Sequence, residues 1–155
     1  MGLTAQALIA EHAKAALGVT YTDAYFKQTV ESLVSAGDSL PVTPWNVTAS
    51  LEQSFSLPRE VTATLRVEDV FRSTTGCTYA CQSAPRIPPY PSTNVLNGRA
   101  AVNSTGFEVA ALVSNALNAH PTITGIGNGV INVGTTTQAI TLTPRTISLS
   151  ATWRF

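Results

Sequence analysis

The residues best suited to chemistry are few and far apart. Cys77 and Cys81, in "TTGCTYACQSAPRIPPYPST", are the only cysteines. The Thr, Ser and Pro around them mark a loop. In an oxidising compartment they would close a short disulfide; in a reducing one they would stay free thiols. A metal site would need further ligands, and neither a histidine nor a second cysteine pair lies near. His12 and His120 are the only histidines, and no Ser–His–acid set can be assembled around either. "GIGNGVINVG" is glycine-rich but lacks the strand–helix context of a phosphate loop, so it reads as a mobile loop. The expectation is a protein that is not an enzyme and holds no cofactor and no metal.

The charged residues are more informative, because they recur on one parity. In "WNVTASLEQSF", Trp45, Val47, Ala49, Leu51 and Phe55 alternate with Asn46, Thr48, Ser50, Glu52 and Ser54. In "VTATLRVEDVF", Val61, Ala63, Leu65, Val67 and Phe71 alternate with Thr62, Thr64, Arg66, Glu68 and Arg72. A period of two predicts a strand with one apolar and one polar face. "VLNGRAAVN", "FEVAALVSN" and "RTISLSATWRF" read the same way, the last with Ile147, Leu149, Ala151, Trp153 and Phe155 on one face. Two earlier strands are expected at 3–10 and 13–23, although "AQALIAEHAKAAL" has the alanine and leucine content of a good helix. The remaining strands are expected at 45–56, 61–72, 95–103, 107–116 and 145–155. The polar faces then carry Lys14, Glu52, Arg66, Glu68, Arg72, Arg99, Glu108 and Arg154.

Composition narrows the class. Nine Lys+Arg balance nine Asp+Glu, so no basic excess points to nucleic acid. Charged residues make up 12% of the chain, about half the roughly 25% of a soluble domain. No stretch approaches the ~18 apolar residues of a membrane helix. Low charge without an apolar run fits a compact β domain or a membrane β-barrel, whose apolar residues are spread along alternating strands. No signal peptide is visible in "MGLTAQALIA".

Connection lengths and aromatics favour the barrel. Short connections near 10–12, 57–60 and 104–106 alternate with long ones near 23–44, 73–94 and 117–144, the rhythm of an up-and-down barrel. Tyr21, Tyr25, Phe26, Trp45 and Phe71 fall at the long-loop ends of the strands, and Phe55, Phe107, Trp153 and Phe155 at the short-turn ends. Two aromatic rows flanking a Val/Leu/Ala band are the girdles of a transmembrane barrel. The expected fold is all-β: an antiparallel up-and-down meander forming a segment of such a barrel. The alternatives are a small stand-alone outer-membrane pore and a soluble all-β binding module. A parity argument sharpens the expectation. Lipid-facing positions are even before the 104–106 turn (Ala100, Val102) and odd after it (Phe107, Val109), so paired residues must have an odd index sum. Asn103 opposite Gly106 or opposite Glu108 would satisfy that, and Val102 opposite Glu108 would not.

At this point the chain resembles a family. "RTISLSATWRF" looks like the last strand of TonB-dependent outer-membrane receptors. "FEVAALVSNALNAHP" and "YPSTNVLNGRAAV" resemble the two strands before it, and "GVTYTDAYF" and "LPVTPWNVTASLEQSF" resemble earlier ones, in the same order. The resemblance covers essentially all 155 residues. It implies residues 1–155 as the C-terminal part of the receptor barrel, about seven strands, without the plug domain that carries the TonB contact. It implies bacterial outer-membrane localisation and active import of a scarce ligand: an iron chelate, cobalamin or an oligosaccharide. The implied partners are outer-membrane lipid, the rest of the receptor, the small-molecule ligand, and the barrel assembly machinery, which would read Trp153 and Phe155. Asp69 departs from the pattern, since it stands on the lipid-facing parity where the family favours an aromatic.

Candidate ligand contacts are Tyr79 and Tyr90 in a long loop, by analogy with the family, and Arg66 or Arg99 on the lumen face. The competing reading of the lumen charges is that they solvate the interior and brace the plug. His12 is expected at a turn and His120 in a loop, at opposite ends of the wall.

Overall fold

The computed structural model describes residues 1–30, 35–40, 42–75, 90–126 and 138–154. Its strands are β1 (Gly2–Ala10), β2 (Ala13–Tyr21), β3 (Trp45–Leu57), β4 (Val61–Arg72), β5 (Thr93–Ser104), β6 (Phe107–Ser114), β7 (Thr122–Ile126), β8 (Gln138–Thr141) and β9 (Thr146–Trp153). Seven form one sheet in the order β1-β2-β3-β4-β5-β6-β9, and β7 pairs with β8 in a separate ribbon. Every ladder is antiparallel, and neighbours in the large sheet follow chain order apart from the inserted ribbon. This is the up-and-down all-β meander that the alternating pattern predicts.

The alanine- and leucine-rich start is a hairpin rather than a helix. β1 pairs with β2 from Gly2↔Thr20 to Ala10↔Ala13, with a register shift between Leu8 and Ala10. Pairing of β2 with β3 supplies the rest of the ladder. Tertiary hydrogen bonding here outweighs intrinsic helix propensity, which is worth at most ~0.7 kcal/mol per ordinary residue. The 105–106 turn obeys the parity rule: Val102 pairs with Val109 and Asn103 with Glu108.

Two expectations need correction. The strand expected to reach residue 116 stops at Ser114, because Asn115 takes a left-handed conformation (φ 50°) that a strand cannot continue through. The stretch 117–144, read as one long connection, holds the β7–β8 ribbon. The glycine-rich segment begins inside β7 at Gly125 and Ile126; its residues 127–134 lie outside the described residues.

The register sorts side chains onto two faces. One face carries Leu3, Val19, Val47 and Phe71 in one row and Leu51, Val67, Val113 and Ile147 in another. It is open: Ile147 is 74% exposed and Leu149 80%. The only buried apolar residues among those described are Ala13, Ala101 and Ala110. The described residues therefore form a single-layer sheet with an uncovered apolar face, not two layers around a core. No helix is long and apolar enough to cross a membrane, which says nothing of strands.

Both rims of the apolar face carry paired rings. At the long-connection end Tyr21 on β2 lies opposite Trp45 on β3, centroids 4.7 Å apart. At the short-turn end Phe107 on β6 stacks on Trp153 of β9, at 6.1 Å and 22°. Cross-strand aromatic pairs of this kind stabilise a sheet and sit well where one side is apolar and the other wet.

Candidate functional site

The polar face brings the charged residues into one belt. Lys14, Glu52, Arg66 and Arg99 lie in a single cross-strand row, on β2, β3, β4 and β5. Arg66 and Arg99 are direct partners in the ladder, a like-charge juxtaposition that would be unfavourable alone. Each cation turns away from the other. Arg66 meets Glu68 at 2.9 Å and Glu52 at 3.7 Å. Arg99 reaches Glu108 on β6. The structure thus brings together the two arginines named as ligand contacts and engages both with carboxylates of the same sheet. No group of three metal-ligating side chains occurs among the described residues.

A cavity of about 250 Å³ opens further along the same face, at the long-connection end. Its floor is the Val70–Val95 cross-strand pair, and Arg72 and Thr93, also opposite one another, lie one step nearer the rim. Segments before and after the strands form the walls: Thr43, Ser73 and Thr75, then Tyr90 and Pro91, with Leu142 ahead of β9. Tyr90, a sequence-based candidate, is therefore part of a formed site.

Local bonding explains why these segments converge. The Ser73 amide donates to the Trp45 carbonyl (2.9 Å), and the Trp45 amide donates to Ser73 Oγ (3.0 Å). The Thr75 amide donates to the Tyr90 carbonyl at 3.0 Å. Thr75 is 8% exposed, and its hydroxyl shares a hydrogen bond with the Thr43 hydroxyl at 3.2 Å. The site is thus tied to β3, β4 and β5 by backbone bonds and is held before any ligand arrives.

Arg72 is the functional candidate that sequence reasoning did not single out. It is one polar-face cation among several, and only the cross-strand pairings show which cations have carboxylate partners. Tyr79, Cys77, Cys81 and Phe155 lie outside the described residues. Trp153 sits at the short-turn rim. His12 lies in the β1–β2 turn, where its carbonyl accepts from the Ser54 amide (2.9 Å), and His120 is exposed ahead of β7.

No protein-family model matches the chain, and no curated protein or solved structure matches it either.

Proposed function

We propose that the chain forms part of the wall of a bacterial outer-membrane β-barrel receptor, one that binds a scarce ligand and imports it with TonB-coupled energy. The observation that carries the barrel part is the two-faced single sheet. One face is an open apolar band between two rims of paired aromatics, and the other is polar and threaded with ion pairs. Water would leave the apolar band unsatisfied; lipid would cover it. The dimensions agree. From Trp45 to Phe55 along β3 the backbone spans ~33 Å at ~3.3 Å per residue. Tilted by ~40°, that gives an apolar height of ~25 Å, the band of an outer-membrane barrel. The outer edges of β1 and β9, which have no strand partner among the described residues, are where the remaining wall would add strands. The TonB coupling, the import and the ligand rest on the family resemblance, and the cavity beside Arg72 supplies a place for the ligand to bind.

The two tryptophans test the barrel reading, since they mark opposite rims. Single-tryptophan variants, Trp153→Phe keeping Trp45 and Trp45→Phe keeping Trp153, would be refolded into vesicles with lipids brominated at defined acyl depths. Strongest quenching near the interface for both, in opposite leaflets, is the expected result. Quenching of neither would overturn the reading.

A further inference from the structure

We propose that the cavity beside Arg72 binds an organic anion, a carboxylate or phosphate carried on a small apolar group; its role as the first import site rests on the receptor reading above. The polar-face cations differ in their surroundings. Arg66 is held by Glu52 and Glu68, and Arg99 by Glu108. The side chain of Arg72, like those of Lys14 and Arg154, has no hydrogen-bond or ion-pair partner among the described residues; of the three, Arg72 lines this cavity, while Lys14 shares its own recess with Glu52. Its ladder partners are Asn46 and Thr93, both neutral. Among the described residues, no acidic side chain lines the cavity. Arg72 is exposed at the mouth of this recess, and a guanidinium without a carboxylate partner is a planar fork of donors matched to a carboxylate or phosphate.

The other polar groups reinforce that sign. Ser73 Oγ already accepts the Trp45 amide, so its hydroxyl hydrogen remains to be given to a ligand. The Thr93 hydroxyl stands directly across the ladder from Arg72. Donors therefore outnumber acceptors at the mouth. Below them, the Val70–Val95 floor, Pro91 and Leu142 offer an apolar bed. A bare cation is repelled by Arg72 and finds no carboxylate. A neutral sugar makes no use of the charge and would set hydroxyls against valines. An anion on an apolar group matches both halves. At about 250 Å³, just under the ~300–1,000 Å³ of drug-sized pockets, the site fits a small ligand or one arm of a larger one.

The test uses the whole chain in detergent micelles, with three probes of one shape: benzoate, phenyl phosphate and the neutral benzamide. Binding is read from the backbone amide resonances of Thr75, Tyr90 and Thr93. Saturable shifts with benzoate or phenyl phosphate, about 10-fold tighter than with benzamide, are expected, since a charge-assisted hydrogen bond contributes roughly that factor. The stronger of the two anions identifies the oxyanion. Arg72→Gln should bring the anion down to the benzamide level with an otherwise unchanged spectrum, Arg72→Lys should retain part of the preference, and Lys14→Gln should change nothing. Equal affinity for benzoate, phenyl phosphate and benzamide, or an anion preference surviving in Arg72→Gln, would overturn the proposal. Loss of the anion preference in a chain that still passes the brominated-lipid test removes the ligand class and leaves the barrel reading. The opposite pair of results removes the barrel reading and leaves the site.

Discussion

Arg99 on β5 reaches Glu108 on β6 across the Ala101–Ala110 pair. In the register, Arg99 lies opposite Leu112, Glu108 opposite Asn103, and the two alanines face each other between them. The ion pair therefore runs diagonally over two methyl groups, and these are among the most buried atoms of the sheet: Ala101 is 3% exposed and Ala110 1%. Long charged side chains cover apolar surface with their stems while their heads meet. Here the small size of the residues beneath is what lets the heads meet.

Ala110→Leu should therefore destabilise the sheet more than loss of the ion pair does. The larger side chain occupies the path of the Arg99 stem, and overpacking typically costs ~1–3 kcal/mol. Glu108→Gln, which removes the charge but keeps the shape, should cost only ~0.2–1 kcal/mol, since both partners are partly exposed. Denaturant midpoints of the two variants in detergent check the ranking, and a costlier Glu108→Gln would contradict it.

The β3–β4 turn holds two non-glycine residues in left-handed conformations, Arg59 (φ 64°) and Glu60 (φ 57°). Such a conformation costs an L-residue roughly 1–2 kcal/mol, while glycine brings back ~0.5–1 kcal/mol of unfolded-state entropy. Arg59→Gly and Glu60→Gly should each stabilise by up to ~1.5 kcal/mol by the difference of those two figures. Gly37→Ala, at φ 95°, should do the reverse. Unfolding midpoints of the three variants provide the comparison.

Asn115 ties the start of the long excursion after β6 to its end. Its Nδ2 donates to the Ala119 carbonyl (2.9 Å) and the Thr143 carbonyl (3.0 Å), and its Oδ1 accepts the Ala119 amide (2.9 Å). The residue is 4% exposed. Asn115→Ala should cost ~2–4 kcal/mol, combining three lost, partly buried hydrogen bonds and a left-handed alanine. Asn115→Gly relieves only the backbone part. In hydrogen exchange the Ala119 amide should lose protection in both variants, and continued protection would show that the side chain is not what holds the segment.

The residues explain which features the sequence made legible. Period-two alternation fixed the faces, because it follows from strand geometry alone, and index parity narrowed the partner of Asn103 to Gly106 or Glu108, between which the ladder chooses Glu108. The β7–β8 ribbon escaped because "TITGI" and "QAIT" are too short to display a period. Tyr90 was reachable as a loop aromatic. Arg72 was not, since its lack of a carboxylate partner depends on where Glu52, Glu68 and Glu108 turn across three strands.

Asp69 and Leu65 give a test in which water and lipid predict different outcomes. It stands on the apolar face, between Ala49 and Leu96 in the ladder and two residues inside Phe71. Its Oδ1 is buried without a hydrogen-bond partner. Leu65 lies on the same strand and face, nearer the middle of the band, and is 50% exposed. In a bilayer a lipid-facing charge costs most at the midplane, up to ~2–4 kcal/mol for a basic residue and less for a carboxylate, falling to ~0–1 near an interface. Asp69→Leu should therefore stabilise the vesicle-inserted chain by up to ~1 kcal/mol, and Leu65→Asp should cost it more than that. If the face met water instead, Leu65→Asp would replace an exposed leucine with a solvated carboxylate and fall within about ±0.5 kcal/mol. Unfolding measured in vesicles decides. A marked loss for Leu65→Asp with a gain for Asp69→Leu requires an apolar neighbour over the band, and a neutral Leu65→Asp would mean that the band faces solvent.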